Sequence, residues 1–184
     1  MYLDVKILDV DYTRVMVHQP QDEVDHIVDA WRRERPDLDV APLHVLSRIS
    51  RIARLLDQAR GQAFSQHDLD GWEFDVLSAL RRASAPYELS PGALMQQTLV
   101  TSGTMTNRVD RLTTRGFVER RPAPNDRRGV LVRLTKRGRA VVDAAMADLL
   151  DHERSLLTDL PERDRERLAT ALRTLLSTVE SPKP

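Results

Sequence analysis

The chain has 184 residues, 41% hydrophobic and 30% charged, with seven glycines and aromatics at only 4%, which fits one globular, helix-leaning core of aliphatic side chains. It contains no cysteine, which excludes a disulfide framework, a thiolate zinc site and a cysteine redox sensor. The net charge of zero hides a polarity: residues 107–139 carry eleven Lys or Arg against Asp110, Glu119 and Asp126, a local balance of +8, whereas residues 1–31 hold seven acids against Lys6 and Arg14. A cationic stretch of this kind is suited to phosphate backbones, its plain alternative being a solvated basic face.

Residues 1–20 read as a strand-like arm, with Leu3, Val5 and Ile7 alternating with polar residues and Val10 beyond them. No basic region followed by an apolar stretch opens the chain, and no run approaches the roughly 20 apolar residues of a membrane span, so neither a secretory signal nor a membrane partner is expected and the location is read as cytoplasmic.

The first helix is expected over 21–35, with Val24, Ile27, Val28 and Trp31 on one face and Pro36 as its stop. A second begins near Pro42 and carries Val45, Leu46, Ile49, Ile52, Ala53 and Leu56, until a loop from Gly61 to Asp68 breaks the pattern. Asp70, with Glu73 three positions on, predicts a capping box for a helix bearing Phe74, Leu77 and Leu80. Ser90-Pro91 opens a short helix that fades near Thr98, and Thr101 or Ser102 caps another whose inner stripe is Met105, Val109 and Leu112. Gly116 ends that helix. Strands at 117–121 and 129–134, joined through 122–128, predict a hairpin with Arg127 and Arg128 at its tip. Thr135 caps a long helix to about Leu157, and Pro161 opens a last one with Leu168, Leu172, Leu175, Leu176 and Val179 in register.

Short helix, turn, striped helix and basic hairpin together form a winged helix-turn-helix, in a mainly α fold with a small β wing. The second helix of such a unit fits the DNA major groove, and the polar side chains on its outer side are Ser102, Thr104, Thr106, Asn107, Arg108 and Arg111. Arg127 and Arg128, with Asp126 beside them, suit a narrow minor groove. The domain reading is an arm at 1–20, N-terminal helices at 21–60 for dimerisation and a ligand pocket, the DNA-binding unit at 61–139, and C-terminal dimerisation helices at 140–184.

The segments Leu89-Ser-Pro-Gly-Ala-Leu94, Ser102-Gly-Thr-Met-Thr-Asn-Arg-Val-Asp-Arg-Leu112, Arg115-Gly-Phe-Val-Glu-Arg120 and Asp126-Arg-Arg-Gly-Val-Leu-Val-Arg-Leu-Thr135 resemble the MarR family of bacterial regulators in order and spacing. The resemblance spans roughly residues 21–180. It implies a homodimer with interlocking terminal helices, double-stranded DNA as partner, a pseudo-palindromic operator and repression as the regulatory sign. Amphipathic first and last helices outside the compact winged unit call for a partner surface on physical grounds as well.

Trp31-Arg-Arg-Glu-Arg-Pro-Asp-Leu-Asp39 and Trp72-Glu-Phe-Asp-Val-Leu77 are similar to the urate-responsive, PecS-like branch of that family. That likeness implies a ligand set of Trp31, Asp75, Arg108 and Arg120 and a small anionic or aromatic effector, urate among the possibilities. An arginine pairs with an anionic purine, a tryptophan covers its face, and the anion raises a neighbouring carboxylate by like-charge repulsion.

The five histidines are dispersed, with no metal-ligand spacing, and neither a nucleophile elbow nor a phosphate-cradling glycine loop is present. No catalytic residue, metal or cofactor is therefore expected. The remaining rival is a helical protein-interaction module whose basic patch meets an acidic partner.

Overall fold

The computed structural model describes residues 21–124 and 126–181, without the side chains of 126–128. The N-terminal arm, and Arg127 and Arg128 as side chains, lie outside the described residues. Two compact units, 1–56 and 57–184, divide the chain within its second helix.

In the first unit, α1 spans Glu23–Glu34. Asp22 caps it, its carboxylate accepting from the Val24 amide at 2.8 Å, while Asp25 accepts from the Asp22 amide at 3.0 Å. The pair is further tied by Arg48, which donates to Asp22 Oδ2 at 2.8 Å and Asp25 Oδ1 at 2.7 Å. Those bonds from Arg48 hold both carboxyls below their ordinary range. Val24, Val28 and Val40 make a small core, with Leu43 packed against it. Of the predicted apolar face of α1, Ile27 and Trp31 remain exposed.

The helix α2 covers Leu43–Ser65 and so runs straight through Gly61, where the sequence predicts a loop. A helical glycine costs about 1 kcal/mol relative to alanine. Here the continuation is rewarded, because it buries Phe64 and stacks its ring on Phe74 at 4.1 Å.

The second unit is a winged helix-turn-helix. Its elements are α3 (Gly71–Arg82), β1 (Glu88–Leu89), α4 (Pro91–Thr98), α5 (Ser102–Thr114), β2 (Val118–Ala123), β3 (Asp126–Leu134), α6 (Lys136–Leu156) and α7 (Glu162–Glu180). One core joins Phe74, Leu77 and Leu80 of α3 to Leu94, to Met105, Val109 and Leu112, to Val132 and Leu134, and to Val142 and Ala145. Glu73 accepts from the Asp70 amide at 3.0 Å, the expected capping contact, and at the next helix start the cap itself, Ser90, accepts through Oγ from the Ala93 amide at 3.2 Å.

Gly116, at φ +73°, closes α5 in the left-handed region. Gly138 answers a different need: a Cβ there would collide with the Phe117 carbonyl oxygen, so only glycine lets α6 start against the wing.

The sheet is antiparallel with order β1-β3-β2. Its strands reach farther than the predicted hairpin, with Ala123 facing Asp126, so Arg127 and Arg128 stand at the beginning of β3 beside the turn rather than on it. The two-residue β1, absent from the sequence reading, pairs Glu88 with Arg133 and Leu89 with Val132. Among the described residues no helix is long and apolar enough to cross a membrane, and no cluster of metal-ligating side chains occurs.

Candidate nucleic-acid interface and adjoining cleft

The helix α5 is two-sided. Met105, Val109 and Leu112 are buried, while Ser102, Thr104, Thr106, Asn107 and Arg111 are exposed and Arg108 is half-buried. The apolar stripe at i, i+4 and i+7 binds the helix to α3 and α4 and leaves the polar row facing out. Among these, Thr104 and Thr101 share a hydroxyl hydrogen bond at 3.0 Å and Thr106 donates to the Ser102 carbonyl at 3.1 Å. The Asn107 amide and the Arg108 and Arg111 guanidinia carry the remaining hydrogen-bonding capacity of that face.

Neighbouring elements fix the arginines of α5 one by one. Arg115, the C-cap, donates to the buried Glu73 carboxylate and to the carbonyl and carboxylate oxygens of Asp68. Glu73 is 1% exposed and its Oε1 has no hydrogen-bond partner among the described residues, so the Arg115 contact is its main charge compensation.

Arg111 and Arg108 lie over the indole of Trp72, their guanidinium carbons 4.7 and 5.4 Å from its centroid. Trp72 Nε1 donates to Asp70 Oδ2 at 3.0 Å, and that same oxygen is 3.6 Å from Arg111 Nη2. On the wing side, Arg120 of β2 pairs with Asp110 of α5 at 2.7 Å, and Arg121 with Glu119 at 2.8 Å.

A cleft of about 620 Å³ opens in the same unit. Arg60, Arg82 and Asp75 supply its charge, and Phe64, Trp72 and Met146 much of its apolar wall. Glu153 anchors Arg60 at 2.8 Å, and Arg82 donates to Ser78 Oγ at 3.3 Å. Partial burial pushes the Asp75 carboxyl up from its ordinary value, with Asp57 adding to the rise, against the fields of Arg108, Arg60 and Arg82.

Of the four expected ligand residues, Asp75 lines the cleft. Arg108 lies near enough to act on the Asp75 charge but stands over Trp72. Arg120 is engaged by Asp110 and is not among the residues lining the cleft. Trp31 belongs to the first unit, near the end of α1, where it borders a shallow hollow with Ile27, Ala30 and Glu34.

Sequence reasoning missed Arg60 and Arg82. Arg60 sat next to the segment read as a loop, and Arg82 looked like an ordinary basic residue in a helix's last turn. Only the identity of their neighbours marks them out.

A family model described as "MarR family" matches residues 67–129. The HTH-type transcriptional regulator PecS of Dickeya dadantii is 40% identical over 158 residues, 86% of this chain and 93% of that protein. A crystal structure of mutant MarR from E. coli complexed with operator DNA superposes with TM-score 0.64 at 31% identity, covering 74% of this chain and 95% of the other. A structure of Bordetella bronchiseptica BpsR, described as explaining regulation of its DNA binding by 6-hydroxynicotinic acid, gives TM-score 0.55 at 26% identity over 70% of this chain and 98% of that one. The named relatives are regulators and not enzymes, as the lack of catalytic motifs suggests. The chain belongs to the MarR family of DNA-binding transcriptional regulators.

Proposed function

We propose that the protein is a cytoplasmic repressor that binds a pseudo-palindromic operator as a homodimer and leaves it when a small anionic, aromatic ligand binds. The observation that carries the DNA reading is the two-sided α5, whose buried stripe fixes it to the winged unit while Ser102, Thr104, Thr106, Asn107, Arg108 and Arg111 supply the outward row. In this reading that row enters the major groove, and Arg127 and Arg128 at the start of β3 reach the adjacent minor groove. Two such helices in a two-fold dimer would meet half-sites about 34 Å apart.

The dimer is supported by apolar side chains left about half exposed among the described residues: Val45, Leu46, Ile52 and Leu55 on α2, and Leu168, Leu172 and Leu176 on α7. The ligand reading is supported by the cleft. Arg60 and Arg82 offer an anion its counter-charge, aromatic rings offer a planar molecule its cover, and Asp75 would be pushed up further by the added negative charge. Urate and 6-hydroxynicotinic acid both have this chemistry, so either is a sensible first probe.

Footprinting on the protein's own promoter region, followed by titration of the protected duplex, tests the reading. Affinity should fall steeply with salt and exceed that for a scrambled duplex by roughly 10³-fold or more. Arg128→Ala should weaken binding with the fold intact. Equal affinity for both duplexes would favour the protein-interaction alternative. Release by urate that Arg60→Ala and Arg82→Ala leave unchanged would remove the cleft as the ligand site.

A further inference from the structure

We infer that Trp72 is a positioning residue for operator recognition: its indole is the platform that holds Arg108 and Arg111 ready for base edges. The inference rests on the reading that α5 lies on DNA, and goes beyond it by assigning a role to a residue that need not touch the duplex.

Trp72 is the second residue of α3, immediately before the buried Glu73 and Phe74, and is itself only partly buried. Its ring packs against the rim of the core, its edge is pinned by the Nε1 bond to Asp70, and it takes two cations from successive turns of α5. The Asp70 oxygen that fixes the indole also faces Arg111. Ring and carboxylate thus define the position of that guanidinium from two directions.

The geometry suits base reading because a guanidinium held over a ring by its charge need not spend its N–H edge there, and bidentate hydrogen bonding to guanine O6 and N7 uses that edge. Such an arginine has already lost much of its rotamer freedom, and Arg111 has only the 3.6 Å contact with Asp70 to exchange for a base. It therefore gives up less entropy when it meets the base than an arginine waving in solvent. Two positive charges three residues apart would otherwise drive each other into divergent rotamers. The negative face of the indole lowers that repulsion and gathers them on one side of the helix. A phosphate contact tolerates a misplaced guanidinium, but a base edge does not, so the platform should matter for sequence preference more than for overall affinity.

The test compares the footprinted operator with a scrambled duplex of equal length, using the full chain and its Trp72→Leu, Trp72→Phe, Arg111→Ala and Trp72→Leu/Arg111→Ala variants. Trp72→Leu should lower the operator-to-scrambled affinity ratio about tenfold while scrambled binding and thermal midpoint stay close to wild type, because one well-formed bidentate contact carries discrimination of that order. Trp72→Phe keeps a ring face and should recover most of the ratio, a rescue that simple space filling by leucine would not require. The double variant should lose far less than the product of the two single losses.

A second measurement does not depend on the leucine variant folding. Trp31→Phe leaves Trp72 as the sole indole of the chain, whose two tryptophans are Trp31 and Trp72. Its emission should shift on binding operator and not on binding the scrambled duplex. An unchanged ratio in Trp72→Leu alongside a reduced one in Arg111→Ala overturns the role of Trp72 and leaves the α5 reading standing. So does an indole signal identical on both duplexes. No loss in Arg108→Ala and Arg111→Ala alike would instead bring down the α5 reading itself.

Discussion

Helices α3 and α7 carry equally regular apolar stripes and meet opposite fates. In α3, Phe74, Val76, Leu77, Ala79 and Leu80 are all buried, and even Glu73 and Ser78 are drawn in. In α7, none of nineteen residues is buried, and Leu168, Leu172 and Leu176 stand 47%, 42% and 56% exposed. Amphipathicity therefore states that a helix has a face to cover, and says nothing of which molecule covers it. For α3 the cover is α4, α5, α6 and the sheet of the same unit; for α7 the proposed cover is a second copy of the chain.

That contrast can be broken most severely at Arg115. Arg115→Ala should cost about 3 kcal/mol or more in urea unfolding, since Glu73 would be left buried without its counter-charge. A loss below 1 kcal/mol would mean that water reaches the carboxylate. Leu77→Ala should follow at about 2–5 kcal/mol when compared with wild type at the same protein concentration.

The same chemistry on α7 should behave differently. Leu168→Glu combined with Leu172→Glu should move sedimentation from dimer towards monomer and weaken operator binding, while the unit's own stability changes by no more than about 0.5 kcal/mol, the usual range for surface positions. Retention of the wild-type oligomeric state would leave α7 without the role proposed for it.

The smallest effect concerns Asp75. Its carboxyl is raised in the folded chain, so ionisation above that raised value disfavours the folded state. Asp75→Asn should therefore raise the thermal midpoint slightly at neutral pH. The gain should shrink as pH falls through the raised value and vanish below the ordinary 3.8, where wild type is protonated in both states. A gain that grows on acidification would contradict the sign.

Much of the winged unit is legible in its residues because the signals are local. Ser90-Pro91, Thr135 and the Asp70–Glu73 spacing mark helix starts through side chains that serve amides within three positions. Met105, Val109 and Leu112 mark an inner face by period alone. The exceptions are informative. Gly61 signals a break, yet the ring of Phe64 finds Phe74 and carries the helix on. The strand β1 is too short to have a pattern and exists because Glu88 and Leu89 meet Arg133 and Val132. The paired arginines near Asn125 read as a loop tip, although β3 already begins at Asp126.

The sequence by itself determined the order of the helices and of the two wing strands, the outward row of α5 and the cationic stretch that overlaps it, since caps, periodicity and charge are properties of neighbours along the chain. Only the tertiary structure decided that Arg115 is spent on Glu73, that Arg120 is spent on Asp110, and that Arg108 and Arg111 share the ring of Trp72. Arginines look alike in a sequence. What each can do is set by the carboxylate or aromatic face that folding brings within a few ångströms of it, and those partners are usually far away along the chain.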